Sequence, residues 1–319
     1  MAVFREGDKG PEVAQIQQAL TKAGFSTNGA DGIFGAKTTA AVKLFQQSKG
    51  LSADGIVGRE TWNALFTHEP PASTLDGAPL DFKCLALTGS FETAKAPPAC
   101  FSGLAGDFDG QGMSFGALQW NFGQGTLQPI LKEMLELHQD VTKACFKDRY
   151  QQFCDVMGGN NASIISFARS IQDSGSHSVT GQWGGSFRAL GLTAECQAIQ
   201  VRSAASYYKK GVALCAEFVL SSQRGRALMF DICVQNGSIS SAVKTKILAG
   251  FNALSPSLSS TEAELEKMRI IANRRAEAAN PKYCEDVRSR KLCIANGVGK
   301  VHGITYDLEK DYGLTLSAA

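Results

Sequence analysis

The chain has 319 residues, 44% of them hydrophobic and 19% charged, a composition of folded globular domains and not of a disordered chain. Its formal net charge is +2, from 32 basic and 30 acidic residues, and the scattered placement of the basic ones excludes the dense cationic stripe of a nucleic-acid binder. No stretch approaches the roughly 18 apolar residues that span a bilayer, so no membrane insertion is expected. The nine cysteines contain no Cys-x-x-Cys pair, and His68, His138, His177 and His302 are scattered without metal spacing, so neither a metal nor a cofactor is expected. Cys84/Cys100, Cys145/Cys154 and Cys284/Cys293 are spaced so that bridges could form after export, but spacing does not assign pairs. Cys215 and Cys233 sit in apolar runs, where a cysteine acts as a small core residue.

In chain order, the first 66 residues carry an internal echo. Asp31-Gly-Ile-Phe34-Gly-Ala-Lys-Thr38 recurs 23 residues later as Asp54-Gly-Ile-Val-Gly-Arg-Glu-Thr61. Asp-Gly supplies the positive-φ position of a tight turn, and each Thr stands where the next helix opens. Val13, Ile16, Gln17 and Leu20, then Thr38, Val42, Phe45 and Gln46, then Trp62 and Leu65 predict three short helices. This pattern, from Gly7-x-x-Gly10-x-x-Val13 through Trp62-x-x-Leu65, resembles the peptidoglycan-binding domain 1 family across the whole of residues 1–66. The resemblance implies a three-helix bundle whose partner is the glycan of the bacterial wall, with Asp31, Phe34, Thr38, Gln46 and Trp62 as its wall-binding residues.

Residues 67–79, rich in Pro and polar side chains, read as a linker, which leaves 80–319 as a second domain. Within it, Leu127, Ile130, Leu131, Met134, Leu135 and Leu137 give 127–147 a broad apolar face, and a long helix fits 193–220. The run 225–235 is apolar nearly all round and reads as a central buried helix. Residues 261–293 read as two charged amphipathic helices, with Arg274-Arg275 and Arg288-Ser-Arg290-Lys291 on solvated faces. The one expected β-hairpin lies between about 104 and 120. The fold class is therefore mainly α, in α+β form: a helical bundle followed by a helical domain with a small sheet.

The stretch that carries chemistry joins Leu87-Thr-Gly-Ser-Phe91-Glu92 to Gly106-Asp107-Phe108-Asp109-Gly110-Gln-Gly112-Met-Ser114. Glu92 closes an apolar run of Phe82, Leu85, Leu87 and Phe91. Half-burial there would raise its pKa and suit a general acid. Asp109 lies in a wetter, glycine-rich turn and should stay ionised, with Asp107 as the competing second carboxylate. Two carboxyls in unlike surroundings are what glycoside hydrolysis requires. Gly110 and Gly112 let the hairpin bend toward a sugar ring. Ser114 offers a hydroxyl to hold the attacking water, and Gln119 and Asn121 offer amides for sugar or N-acetyl groups. Trp183, within Gly181-Gln-Trp-Gly-Gly185, reads either as a sugar platform on a cleft loop or as a core tryptophan.

Glu92 followed by Asp109-Gly-Gln-Gly-Met-Ser114-Phe-Gly116 resembles glycoside hydrolase family 46, the chitosanase branch of the lysozyme superfamily, over residues 88–127. The resemblance implies Glu92 as the acid, Asp109 as the base and Ser114 as the hydroxyl that orients water. Gln119 departs from the chitosanase pattern toward muramidases and lytic transglycosylases. Together with the wall-binding module it makes a monomeric muramidase the expected activity, with a transglycosylase, a chitosanase and a non-catalytic wall binder as alternatives. The opening Met-Ala-Val-Phe-Arg-Glu-Gly-Asp holds no apolar signal core. Synthesis in the cytoplasm is therefore expected, with action on the wall or periplasm after release or delivery. This arrangement resembles modular phage endolysins and also secreted effectors, the latter implying an immunity protein.

Overall fold

The computed structural model describes residues 4–51, 53–68, 75 and 77–319, so the centre of the expected linker, 69–74 and 76, lies outside the described residues. The chain divides into two compact units, Met1–Lys83 with Gly211–Ala319, and Cys84–Lys210.

In the first of these, α1 (Pro11–Lys22), α2 (Ala36–Ser48) and α3 (Arg59–Leu65) close around a core of Val13, Ile16, Leu20, Phe34, Val42, Phe45, Val57 and Trp62. The sequence echo has a physical counterpart. The Gln17 amide nitrogen donates to Asp31 Oδ1 (2.8 Å), the Ile33 carbonyl (3.0 Å) and Thr38 Oγ1 (3.1 Å), and Gln17 Oε1 accepts from the Gly32 N–H (2.9 Å). Gln46 repeats the set with Asp54 (2.8 Å), Ile56 (2.9 Å), Thr61 (3.0 Å) and Gly55 (2.9 Å). Each buried glutamine thus staples one Asp-Gly turn to the start of the next helix.

Removing a staple strands a buried donor and a buried acceptor together. Gln46→Leu is expected to lower the module's stability by about 2–4 kcal/mol. Faster hydrogen exchange at the amides of Gly55 and its neighbours in the full chain checks this, with the second turn loosened and the first retained.

The unit Cys84–Lys210 holds most of α4 (Leu80–Thr93) and a three-stranded antiparallel sheet. Its strands are β1 (Leu104–Ala105), β2 (Ser114–Phe115) and β3 (Trp120–Asn121), with Ser114 paired to Ala105 on one side and Asn121 on the other. Six helices follow: α5 (Leu127–Leu137), α6 (Gln139–Phe146), α7 (Tyr150–Gly158), α8 (Asn161–Ser170), α9 (Gly181–Gly191) and α10 (Ala194–Ser203). The single helix expected over 127–147 is broken at His138, whose φ of −136° and ψ of 50° are not helical. The Thr142 hydroxyl ties the two helices across the break, donating to the Met134 (3.1 Å) and His138 (2.9 Å) carbonyls. The break lets α5 pack on α10 while α6 packs on α9. The helix expected over 193–220 likewise divides, at Ala204, into α10 and α11 (Ala205–Phe218). Phe146 and Phe153 stack at 4.0 Å, and Phe187 meets both edge-on at 5.2 and 5.9 Å. Phe115 joins this cluster from β2, 5.8 Å from Phe187, so the core holds the strand that carries Ser114.

The remaining chain returns to the first unit as α12 (Gln223–Asn236), α13 (Ser241–Asn252), α14 (Ser260–Glu277), α15 (Cys284–Asn296), β4 (Val298–Val301), β5 (Ile304–Asp307) and α16 (Leu308–Tyr312). As its composition requires, α12 is buried on all faces, and Ser222 caps it by accepting from the Gly225 N–H at 3.0 Å. Within the unit, β5 touches the N-terminal module where Thr305 donates to Asp54 Oδ2 at 3.0 Å.

Two expectations are corrected here. Arg290 and Lys291 are not on a solvated face: they are 2% and 0% exposed, and both bind Asp231, which is itself 0% exposed in the middle of α12. A second hairpin, β4–β5, turns through His302 and Gly303, both at positive φ. The glycine was a turn signal, but histidine seldom occupies the position before it. Cys145, Cys154, Cys284 and Cys293 carry thiols and are not bridged.

Candidate functional site

Glu92 and the glycine-rich loop both belong to the unit Cys84–Lys210. The helix end that carries Glu92 is seated directly on the sheet. A β-carbon at Gly89 would lie 2.7 Å from Ala117 Cβ and 3.1 Å from its Cα, so only glycine allows α4 to press flat on the β2–β3 turn. Gln200, fully buried on α10, fixes that turn from the other side. Its Oε1 accepts from the Ala117 N–H (2.9 Å) while its Nε2 donates to the Phe101 carbonyl (2.9 Å).

The loop between β1 and β2 is held at its base and open at its tip. Asp107 is 7% exposed; it accepts from Arg169 Nε at 2.6 Å and from the Gly112 N–H at 3.0 Å, and its own N–H donates to Gln172 Oε1 at 2.7 Å. The Arg169 guanidinium bound to Asp107 holds its carboxyl below the usual carboxylate range. Gln172 pairs onward with His177 (3.2 Å), and Gly106 passes so close to the His177 carbonyl that a side chain there would collide with it. Above this clamp Phe108, Asp109 and Gly110 are exposed, with Asp109 Oδ1 accepting from the Gln111 N–H at 3.1 Å. Gly110 and Gly112 both take positive φ, 83° and 74°, which supplies the bend expected of them.

The structure therefore brings Glu92, Ser114 and Asp109 onto one unit but distributes the other candidates differently. Glu92 is exposed, not half-buried: Phe91 turns inward at 1% exposure and Glu92 falls on the outer side of the last turn. Ser114 is half-buried on the central strand. Asp107 is committed to the loop clamp and is no second open carboxylate. Gln119, at φ 53°, donates back to the Gly116 carbonyl at 2.8 Å. Asn121 is buried, and its Oδ1 accepts from the Gln124 N–H at 2.8 Å, so this amide oxygen stabilises a turn. Trp183 is a half-buried helix residue of α9, not a loop residue, packed 4.8 Å from Phe167 and 6.0 Å from Phe146.

In the N-terminal module, Phe34 and Trp62 are fully buried and Thr38 and Gln46 nearly so. Asp31 is exposed, yet hydrogen bonds from Gln17 and the Ile33 N–H hold its carboxyl below its usual range. These five side chains hold the module together.

Sequence reading passed over three features of the site. Phe108 is 69% exposed on the loop tip, its ring 5.4 Å from that of His177. Its place between two aspartates of an Asp-Gly turn was the available signal, since a turn offers a phenylalanine little to pack against. Lys95, three residues beyond Glu92, is a second. Its burial, then the like charge of Arg188, pushes its pKa down. The Arg169–Gln172 clamp is the third, invisible because its parts lie more than 60 residues apart.

Comparison with known proteins assigns the first module. Residues 9–65 match the family described as "Putative peptidoglycan binding domain". A type VI secretion system spike protein of Vibrio cholerae, VgrG3, is 31% identical over 145 residues, a stretch longer than that module, covering 41% of this chain and 14% of the relative. The N-acetylmuramoyl-L-alanine amidase CwlL of Bacillus licheniformis is 51% identical over 65 residues, 18% of each chain. The chain thus spans less than a fifth of either relative's length. Among solved structures, a GH46 chitosanase of Gynuella sunshinyii in complex with chitotetraose superposes over 72% of this chain and 97% of its own, at a TM-score of 0.43 and 13% identity.

Proposed function

We propose that this chain is a wall-targeted glycoside hydrolase that cuts β-1,4 bonds of peptidoglycan as a muramidase, with Glu92 as general acid and Asp109 as general base. The observation that carries the reading is the seating of α4 on the β2–β3 turn, which sets Glu92 beside the sheet whose central strand holds Ser114 and whose first loop holds Asp109. Glu92 donates its proton to the leaving glycosidic oxygen, and the glycan lying over it displaces the surrounding water. Asp109 takes the proton of a water held by Ser114, which attacks the anomeric carbon from the opposite face and inverts it.

The clamp beneath the loop serves this chemistry. With Asp107 tied to Arg169 and Gln172, the base of the loop that carries Asp109 is held before substrate arrives. Phe108 at the tip presents an aromatic face to a sugar ring. Phe108→Ala is expected to raise KM about fivefold with kcat retained, the equivalent of about 1 kcal/mol of face contact. Steady-state kinetics on soluble glycan fragments checks it.

The match of residues 9–65 to a peptidoglycan-binding family favours a wall glycan over chitosan. The reading is tested by incubating the protein with purified sacculi and with chitosan in parallel. Reducing ends are expected from sacculi at a rate at least tenfold above chitosan, and the reverse preference would make it a chitosanase. The likeness to a protein named as a type VI secretion system spike supports delivery into a target cell's periplasm, with an immunity protein in the producer, over release by phage lysis.

A further inference from the structure

A pocket of about 460 Å³ lies within the unit formed by residues 1–83 and 211–319, and shares no residue with the site around Glu92 and Asp109. Its volume is in the range that holds small ligands. Gln235 and Asn236 line it from the end of α12, Arg275 from the last turn of α14, Asn280 and Tyr283 from the connection that follows, and Asp286 from α15.

The polar groups of the wall divide into those already engaged and those that are not. Asp286, the one carboxylate among the lining residues, accepts from His302 Nε2 and from Gln235 Nε2 (3.2 Å). The Gln235 oxygen accepts from Lys291 (2.7 Å), and Asn280 Oδ1 accepts from the Lys282 N–H (3.0 Å). Two atoms are left over. Arg275 Nε is buried without an acceptor, and Asn236 Oδ1 is buried without a donor. Burial lowers the Arg275 pKa. At the rim, the Tyr283 ring is 53% exposed, with Lys282 Nζ 5.3 Å from its centroid.

An unpaired buried guanidinium nitrogen and an orphaned amide oxygen each carry a free-energy cost that a complementary ligand removes. We infer that this pocket binds a small ligand bearing a carboxylate beside an amide N–H, the carboxylate on Arg275, the N–H on Asn236 Oδ1, and an apolar portion against Tyr283. A neutral sugar supplies no charge for Arg275 and does not fit this description. The C-terminus of a short peptide and an N-acetylated sugar acid share the required chemistry. The assignment rests on the pocket alone and does not depend on Glu92 being catalytic.

The test is calorimetric titration of the full chain carrying Glu92→Gln, so that nothing is turned over, with N-acetyl-D-alanyl-D-alanine and N-acetylmuramic acid as probes and N-acetylglucosamine as the uncharged control. At least one acid is expected to bind saturably, and Arg275→Gln is expected to weaken it tenfold or more. Binding by the dipeptide alone assigns the pocket to peptide, and binding by the sugar acid alone assigns it to glycan. Tyr283→Ala, at an exposed position, gives a second readout should Arg275→Gln lower the melting temperature. The inference is overturned if neither acid binds, or if binding is indifferent to both Arg275→Gln and Tyr283→Ala.

Discussion

Glu92→Gln in the full chain is expected to slow the release of reducing ends from sacculi by roughly 10²–10⁴-fold, the contribution of one positioned proton donor. Glutamine keeps the size and hydrogen-bonding shape of the side chain but has no carboxylic proton for the departing oxygen. The substitution falls on an exposed side chain at the last turn of α4, so folding and thermal stability should be unchanged. Co-sedimentation with sacculi should also persist, because residues 9–65 match a peptidoglycan-binding family and do not include position 92. Lysis at the wild-type rate would remove Glu92 from the mechanism. Loss of sacculus binding together with lysis would show that the substitution had damaged the fold and not the chemistry.

Asp231→Asn is expected to cost about 3–5 kcal/mol, the range for removing one partner from a buried ion cluster. Asp231 accepts from Arg290 Nε (3.0 Å) and Nη2 (2.7 Å) and from Lys291 Nζ, all inside the core formed by α12 and α15. An amide removes the carboxylate that both interior cations bind. Urea unfolding followed by circular dichroism measures the loss. A triple change of Asp231→Leu, Arg290→Met and Lys291→Met is expected to recover most of it, since packed apolar groups of similar volume avoid the desolvation cost. A single-variant loss under 1 kcal/mol would contradict the assignment.

The same cluster fixes a pH dependence. Burial alone would raise the Asp231 pKa, but Arg290 and Lys291 hold it well below its ordinary value of 3.8. A group whose folded value is depressed contributes stability that is present above its unfolded value and lost as the pH falls through the folded one. The unit that contains α12 should therefore lose stability progressively below about pH 4, and Asp231→Asn should flatten that part of the profile.

The legibility of these features differed by physical type. The N-terminal helices and both Asp-Gly turns could be read because periodicity and turn chemistry are local. The roles of Gln46 and Thr38 could not, since a polar residue on a helix reads as outward until its buried partners are known. In retrospect the echo itself was the signal, because two identical turns need two identical anchors, and Gln17 and Gln46 supply them. Arg290 and Lys291 were misread for the same reason: their countercharge is 59 and 60 residues away. The clue was a lone aspartate inside the otherwise apolar run around Asp231. At the candidate site the motif singled out Glu92 and Asp109, but burial is a tertiary property. It was the packing of Phe91 and the clamp on Asp107 that determined which carboxyls stand open.

The most direct test of the account is mass spectrometry of the fragments released from purified sacculi by the wild-type chain and by Glu92→Gln. Disaccharide-peptides ending in a reducing sugar, abundant with the wild type and nearly absent with the variant, are the expected result. Fragments ending in 1,6-anhydro sugar, or peptides freed from glycan strands left intact, would contradict hydrolysis of the β-1,4 bond by Glu92 and Asp109.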